Sequence, residues 1–287
     1  MAKNNRANNA LSGKTIIVTG ANSGIGKVAA RELARMGASV IMVARSRERG
    51  ERALQEVRSA SANDNVRLML CDLSSQRSIR EFAAAFEAEN DRLDVLLNNA
   101  GAVYLRRQES VDGLELSFAL NHMGYFLLTN LLLDVIKASA PARIVNVSSE
   151  AHRVGRIAFD DLRREQDYGM NVYGETKLMN LLFTYELARR LEGTGVTVNA
   201  MHPGFVRTNF GRRGNGLLGR FVMPVASLFG RSPERGAATA IYLASSPEVE
   251  GVTGKYFVDN QEVRTADLSY DQALQARMWE VSESALI

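Results

Sequence analysis

The chain carries a single cysteine, Cys71, so it can form no internal disulfide, and a reducing compartment is the natural inference. Histidine is nearly as scarce. His122, His152 and His202 are the only three, and none stands at a metal-ligand spacing, so no metal site is expected. Charge of one sign is lacking as well: 35 Lys and Arg face 32 Asp and Glu, and the resulting net +3 is spread along the sequence without a basic tract. That distribution speaks against nucleic acid as a partner. No apolar run reaches membrane-spanning length, and residues 1–12 are polar and asparagine-rich, without the apolar centre of a secretory signal. The expectation is a soluble, cytoplasmic protein with a flexible tail over 1–12 and one domain over 13–287.

What is present is organised around Thr19-Gly20-Ala21-Asn22-Ser23-Gly24-Ile25-Gly26. An apolar run, Thr15-Ile16-Ile17-Val18, precedes it and reads as a buried strand; a helical pattern over 27–36 follows. A glycine-rich turn between a strand and a helix offers backbone N–H groups and the positive end of a helix dipole to an anion, normally a dinucleotide pyrophosphate. A plain tight turn that needs glycine for its dihedrals is the alternative.

Strand and helix patterns then alternate. Strands are expected at 39–44, 66–70, 93–97, 143–147, 196–200 and 255–258, and helices at 47–59, 114–138 and 173–191, with Ile79, Phe82 and Phe86 on the face of another. A last helix over 269–284 begins with a capping-box pair, Ser269 and Gln272. This repetition, undivided by a linker, predicts an α/β fold: a doubly wound parallel sheet of about seven strands, the Rossmann arrangement. Two stretches, 150–172 and 207–232, resist assignment, and both follow strand carboxyl ends, where such sheets bind ligands.

Tyr173 and Lys177 are four apart at a helix start, so they share a face. An ammonium beside a phenol lowers its pKa toward the range where it exchanges protons near neutrality, although the same spacing is common on solvated helix faces. Ser148 and Ser149 end the fifth strand, where either hydroxyl would hold a carbonyl oxygen or merely cap a turn. Asn121 stands in an otherwise apolar helix and needs partners for its amide. Cofactor choice is legible after the second strand: 19 residues beyond Gly26, where an NAD site places an acid, stands Arg45, which suits a 2′-phosphate, with Lys27 and Arg47 as possible helpers.

Taken together the chain resembles the short-chain dehydrogenases/reductases over essentially its full length. The resemblance rests on Thr-Gly-x-x-x-Gly-x-Gly at 19–26, Asp72, Asn-Asn-Ala-Gly at 98–101, Asn121, Ser149, Tyr-x-x-x-Lys at 173–177 and Pro203-Gly204. Arg-Ile-Val-Asn-Val-Ser-Ser-Glu-Ala-His at 143–152, the run from Thr176-Lys177-Leu178 to Leu191 and Met-Trp-Glu-Val-Ser-Glu at 278–283 look like the retinol-dehydrogenase-like branch, as does the 24-residue step from Ser149 to Tyr173.

The resemblance implies roles. Tyr173 is the acid/base, Lys177 lowers its pKa and holds the nicotinamide ribose, Ser149 orients the substrate carbonyl and Asn121 anchors a relay water. NADP(H) would be bound by Gly20, Asn22, Ser23, Gly24, Ile25, Gly26, Arg45, Asp72, Leu73, Asn99, Ala100, Gly101, Pro203, Gly204, Val206 and Thr208, besides Tyr173 and Lys177. The large apolar residues of 207–232 suggest a lid over a lipophilic aldehyde or ketone, with a packed helix or peripheral membrane contact as alternatives. The family's habit of pairing its central helices implies a homodimer or homotetramer. Reduction of a conjugated double bond, or a vestigial NADP-bound interaction module, are the competing functions.

Overall fold

A computed structural model of the chain describes residues 9–204 and 231–287. Along the chain run β1 (Thr15–Thr19), α1 (Gly24–Arg35), β2 (Ser39–Ala44), α2 (Arg47–Ser61), β3 (Val66–Leu70), α3 (Gln76–Glu89) and β4 (Val95–Asn98). A segmented helix follows: α4 (Leu116–Phe118), a π-turn (Ala119–Met123), α5 (Gly124–Leu131) and α6 (Leu133–Ala138). Then come β5 (Ala142–Val147), α7 (Met170–Arg190), β6 (Val196–His202), α8 (Pro233–Ser245), β7 (Lys255–Val258), β8 (Gln261–Glu262) and α9 (Gln272–Ser284).

Among the described residues the strands form one sheet in the order β3-β2-β1-β4-β5-β6-β7-β8, parallel except for β8. The strands are short apolar runs because both faces are covered. Ile17, Ile41, Leu96, Ile144 and Val198 point into one core, where they meet Phe82, Phe86, Phe126, Phe183 and Trp279. Ile16, Val18, Val40, Met42, Val95 and Leu97 point the other way, onto Val28, Leu33, Val57 and Leu243. This is the period-2 alternation of a strand, used twice. The doubly wound sheet expected from the sequence is therefore present.

Three details differ from the sequence reading. The sheet has an eighth strand, because Asp259 and Asn260, at φ 51° and 63°, make a tight turn that folds β8 back onto β7. The helix expected over 114–138 is interrupted by the π-turn and again at Leu132, although its apolar pattern is unbroken. The cap of α9 is Asp271, whose Oδ1 accepts from the N–H groups of Ala273 (2.9 Å) and Leu274 (3.1 Å), and not Ser269. Ser269 belongs instead to the preceding 3₁₀ turn, Asp267–Tyr270, and donates to the Ala266 carbonyl at 2.6 Å.

Helix α9 closes the first core. Trp279 lies 5.0 Å from Phe126 and 5.9 Å from Phe183 between ring centroids, and the Arg190 guanidinium sits 4.0 Å over the indole. The His122 Nε2, in the π-turn, is 2.7 Å from the Ser282 hydroxyl. Ser282 donates its own proton to Met278 O, so it is the imidazole that donates Nε2–H.

No helix among the described residues is long and apolar enough to cross a membrane, and no cluster of metal-ligating side chains occurs among them. The lid expected at 207–232 falls outside the described residues apart from Arg231 and Ser232.

Candidate active site

The strand order reverses between β1 and β4, and the loops after β1, β2, β3, β4, β5 and β6 carry the residues singled out above. Such a reversal opens a crevice at the strand carboxyl ends. The β1 and β4 ends are stitched together there. The Thr19 hydroxyl accepts from the N–H groups of Asn99 (2.8 Å) and Ala100 (3.0 Å), and Asn99 Nδ2 donates to the Thr19 carbonyl at 2.7 Å. Gly26 has no alternative in this packing: a Cβ would stand 2.5 Å from Asn99 Nδ2 and 2.6 Å from the Gly20 carbonyl oxygen.

Ser23 is the N-cap of α1, in extended conformation, yet its hydroxyl caps nothing and the first turn holds no acid. By contrast the Ser46 hydroxyl caps α2 and that of Ser75 caps α3. The α1 terminus thus keeps its backbone donors and its dipole for an acceptor from outside the chain. Arg45, directly after β2, is 58% exposed and 3.7 Å from Asp72 Oδ2. Asp72 Oδ1 is engaged by the Ser74 N–H (3.0 Å) and hydroxyl (2.6 Å). An exposed pair at that distance is weak and leaves the guanidinium free to turn to a phosphate. Lys27 and Arg47 are engaged elsewhere, with Glu56 at 2.5 Å and Glu51 at 3.5 Å.

The groups after β5 and on α7 meet on the other side of the crevice. Ser148 and Ser149 separate cleanly. The Ser148 hydroxyl is buried and donates to the Lys177 carbonyl at 2.8 Å, whereas the Ser149 hydroxyl accepts from the Ala151 N–H at 3.2 Å and lies beside the Tyr173 phenol. Lys177 is 2% exposed; its Nζ donates to the Val147 carbonyl at 3.0 Å and stands 5.6 Å from the Tyr173 ring centroid. Asn121 is fully buried, with Oδ1 accepting from Ala102 N–H (2.9 Å) and Nδ2 donating to Ala102 O (2.9 Å) and Thr176 Oγ1 (3.2 Å). The π-turn re-aims its side chain out of the helix register toward α7. Leu73 sets the depth of this helix, since a Cβ at Gly124 would lie 2.7 Å from the Leu73 carbonyl.

Burial dominates the titration of this cluster. It pushes the Tyr173 phenol up to about 12, with the Ser149 hydroxyl pulling the other way, and lowers the Lys177 ammonium to about 7. The lowering of Tyr173 expected from its neighbour is therefore overruled: Nζ is directed at Val147 O, and the loss of water around the phenolate outweighs it.

The crevice fits a dinucleotide. A side chain at Gly101 would begin 3.1 Å from Asn121 Oδ1 and 3.6 Å from Lys177 Nζ, so glycine keeps open the space over both. Pro203 and Gly204 follow β6 at the same rim, Gly204 at φ 76° and close against Arg231. Val206 and Thr208 lie outside the described residues.

Sequence reasoning passed over three supports. Gly174 lets the Ser149 turn press on α7, because a Cβ there would be 2.8 Å from the Ala151 carbonyl; a glycine inside a helix was the available signal. Arg164 and Glu175 form a buried ion pair that ties the 150–169 segment to α7. Tyr168 donates to Glu115 Oε1 at 2.8 Å, and the Glu115 carboxylate caps α4 through Ser117 N–H and Phe118 N–H. Neither pair has a local signature.

Residues 14–215 match the family described as short chain dehydrogenase. The chain belongs to the short-chain dehydrogenases. Within them it falls in the retinol-dehydrogenase-like branch: it is 47% identical to human retinol dehydrogenase 14 over 289 aligned positions, spanning 94% of this chain and 85% of that protein. Human retinol dehydrogenase 13 is 46% identical, over 95% of this chain and 84% of its own. Among solved structures, an uncharacterized protein from Mycobacterium paratuberculosis superposes with a TM-score of 0.77 at 34% identity, covering 96% of this chain and 94% of that one. The Pseudomonas aeruginosa RhlG/NADP complex does so with a TM-score of 0.69 at 29% identity, covering 88% and 96%. As a short-chain dehydrogenase this protein is an oxidoreductase of alcohol and carbonyl groups.

Proposed function

We propose that this dehydrogenase moves hydride between NADP(H) and a lipophilic aldehyde or ketone, or the corresponding alcohol, with Tyr173 as acid/base. The observation that carries the reading is the meeting of three groups at the crevice: the Lys177 ammonium stands 5.6 Å from the Tyr173 ring, and the Ser149 hydroxyl is near enough to the phenol to pull its pKa down against burial. The dinucleotide, when bound, supplies or accepts the hydride. Ser149 and Tyr173 hold the carbonyl oxygen between them, and Tyr173 gives it a proton as it becomes a hydroxyl. A phenol pushed up to about 12 holds that proton at pH 7, and the nearby Lys177 stabilises the phenolate left behind. Asn121 spends both amide hydrogens on Ala102 and Thr176 but keeps one Oδ1 lone pair for a relay water.

Gly20, Asn22, Ser23, Gly24, Ile25 and Gly26 would hold the pyrophosphate, with Asp72, Leu73, Asn99, Ala100, Gly101, Pro203 and Gly204 along the rest of the dinucleotide. Arg45 supports the choice of NADP(H). NADPH is expected to bind at least tenfold more tightly than NADH, about 1.4 kcal/mol from a charge-assisted phosphate contact, and Arg45→Asp to reverse the order. Titration of both nucleotides against both proteins checks this, and equal dissociation constants in the parent would remove NADP(H) from the proposal.

The retinol dehydrogenases among the relatives, and the apolar residues of 207–232, support a lipophilic substrate. Each buried methylene contributes about 0.8 kcal/mol, so kcat/KM should climb several-fold per added carbon pair from propanal to decanal until the pocket fills. A flat profile, or a preference for short or charged carbonyls, would leave the oxidoreductase and discard the lipophilic substrate.

A further inference from the structure

The turn that presents Ser149 is fastened from behind by an imidazole. His152 lies three residues on, within the 3₁₀ turn Glu150–Val154, and is 1% exposed. Its Nδ1 is 2.6 Å from the carbonyl oxygen of Ser149, and its Nε2 is 3.2 Å from the backbone nitrogen of Ala266. A backbone N–H only donates, so Nε2 is the bare, accepting nitrogen and the ring proton sits on Nδ1, donated to Ser149. One neutral tautomer satisfies both contacts.

Other groups complete the clasp. The His152 ring stands edge-on to Tyr256 of β7, 5.4 Å between centroids, and the Tyr256 hydroxyl donates to Glu150 Oε1 at 3.1 Å. Arg153 pairs with Glu150 at 2.7 Å and donates to the Arg264 carbonyl at 2.9 Å. The segment after β8 is therefore bound to the serine turn at two points, through Arg264 and Ala266. Glu150 and Arg153 of the turn, Tyr256 of β7 and His202 at the end of β6 are the titratable groups around the imidazole.

Ser149 needs such a hold. Its backbone is extended, at φ −161° and ψ 155°, and its hydroxyl accepts from the Ala151 N–H at 3.2 Å, capping the turn that follows. A small rotation of the peptide after Ser149 would shift that cap and carry the hydroxyl away from Tyr173. We propose that His152 is a positioning residue for hydride transfer: bridging the Ser149 carbonyl to the Ala266 amide, it holds the Ser149 hydroxyl beside Tyr173, where the substrate carbonyl would sit. The inference rests on the role given to Ser149 above. Protonation undoes the device, because an Nε2–H would then face the Ala266 N–H. Burial keeps the ring neutral by lowering its pKa, against the pull of Glu150.

Ala266→Pro tests the clasp by replacing the N–H donor to His152 with a ring methylene. Ala266 has φ −61°, the angle that proline itself imposes, so the backbone path is kept while the donor to His152 is lost. His152→Gln places its amide near the old Nε2 and abandons the Ser149 carbonyl, whereas His152→Asn keeps a donor near the old Nδ1. With saturating NADPH and octanal, Ala266→Pro and His152→Gln should lose roughly tenfold in kcat, and His152→Asn should recover most of that loss. NADPH affinity should stay at the parental value in all three. The parent's kcat should also fall on the acid side, and His152→Asn should lack that fall. Parental kcat in both Ala266→Pro and His152→Gln would overturn the proposal, and so would equal losses in the Asn and Gln variants. Tyr173→Phe separates the two readings: if it is inactive while the clasp variants are parental, only the positioning role fails.

Discussion

Tyr173→Phe is expected to lower turnover by roughly 10² or more while NADPH affinity stays nearly constant. In the proposed mechanism the phenol is the proton source, and phenylalanine removes that proton while keeping the ring. The glycine turn lies across the crevice on β1 and α1, and none of its contacts with Asn99 and Ala100 involves α7. Lys177→Ala is expected to damage both quantities, because Nζ is buried against the Val147 carbonyl and borders the space kept open by Gly101. Steady-state rates with octanal and fluorescence titration of NADPH measure the split. A Phe variant turning over at the parental rate would remove Tyr173 from the mechanism.

Acid should begin to destabilise this protein before its carboxylates protonate. His122 is fully buried among Phe118, Phe126 and Phe183, and burial lowers its pKa to about 3. An unfolded histidine titrates near 6.5, so between those values the unfolded chain binds a proton that the folded chain refuses. Stability is then complete above pH 6.5 and lost as pH falls, by about 1.4 kcal/mol per unit, approaching a total on the order of 5 kcal/mol near pH 3. His152 and His202 are lowered by burial too and act in the same direction. Urea midpoints measured from pH 7.5 to 4.5 should fall steadily. His122→Leu gives up the Ser282 hydrogen bond and starts lower, but its midpoint should fall less over the same range. Parallel slopes for the two proteins would exclude His122 as the titrating group.

The sheet was legible because its information is local: runs such as Thr15–Thr19 and Ser39–Ala44 announce burial on both faces, and the glycines between β1 and α1 announce their turn. Long-range partners were invisible. Nothing near Glu175 points to Arg164, and nothing near His152 points to Ala266, since those contacts exist only after the chain has folded back on itself. Rivalry between adjacent signals misled in one place: Ser269 and Gln272 fit a capping box, but Asp271 is an equally good cap and stands immediately before the helix. The direction of the Tyr173 shift was missed for a different reason. Spacing along a helix reveals neighbours, while burial, which decides this sign, is a property of the whole fold.

The order in which the chain is made gives the C-terminal contacts another meaning. Asn121, Ser149, Tyr173 and Lys177 are all synthesised long before residue 264, and the strands that carry them can pair as they appear. The clasp on the serine turn arrives with Arg264 and Ala266, and the brace on the Asn121 turn with Ser282. A nascent or clipped chain ending before residue 264 thus carries every proposed reacting group without the contacts that aim two of them. It also leaves Phe126 and Phe183 without Trp279. Such a chain would leave the proposed acid/base cluster less well aimed and its apolar face open to quality control.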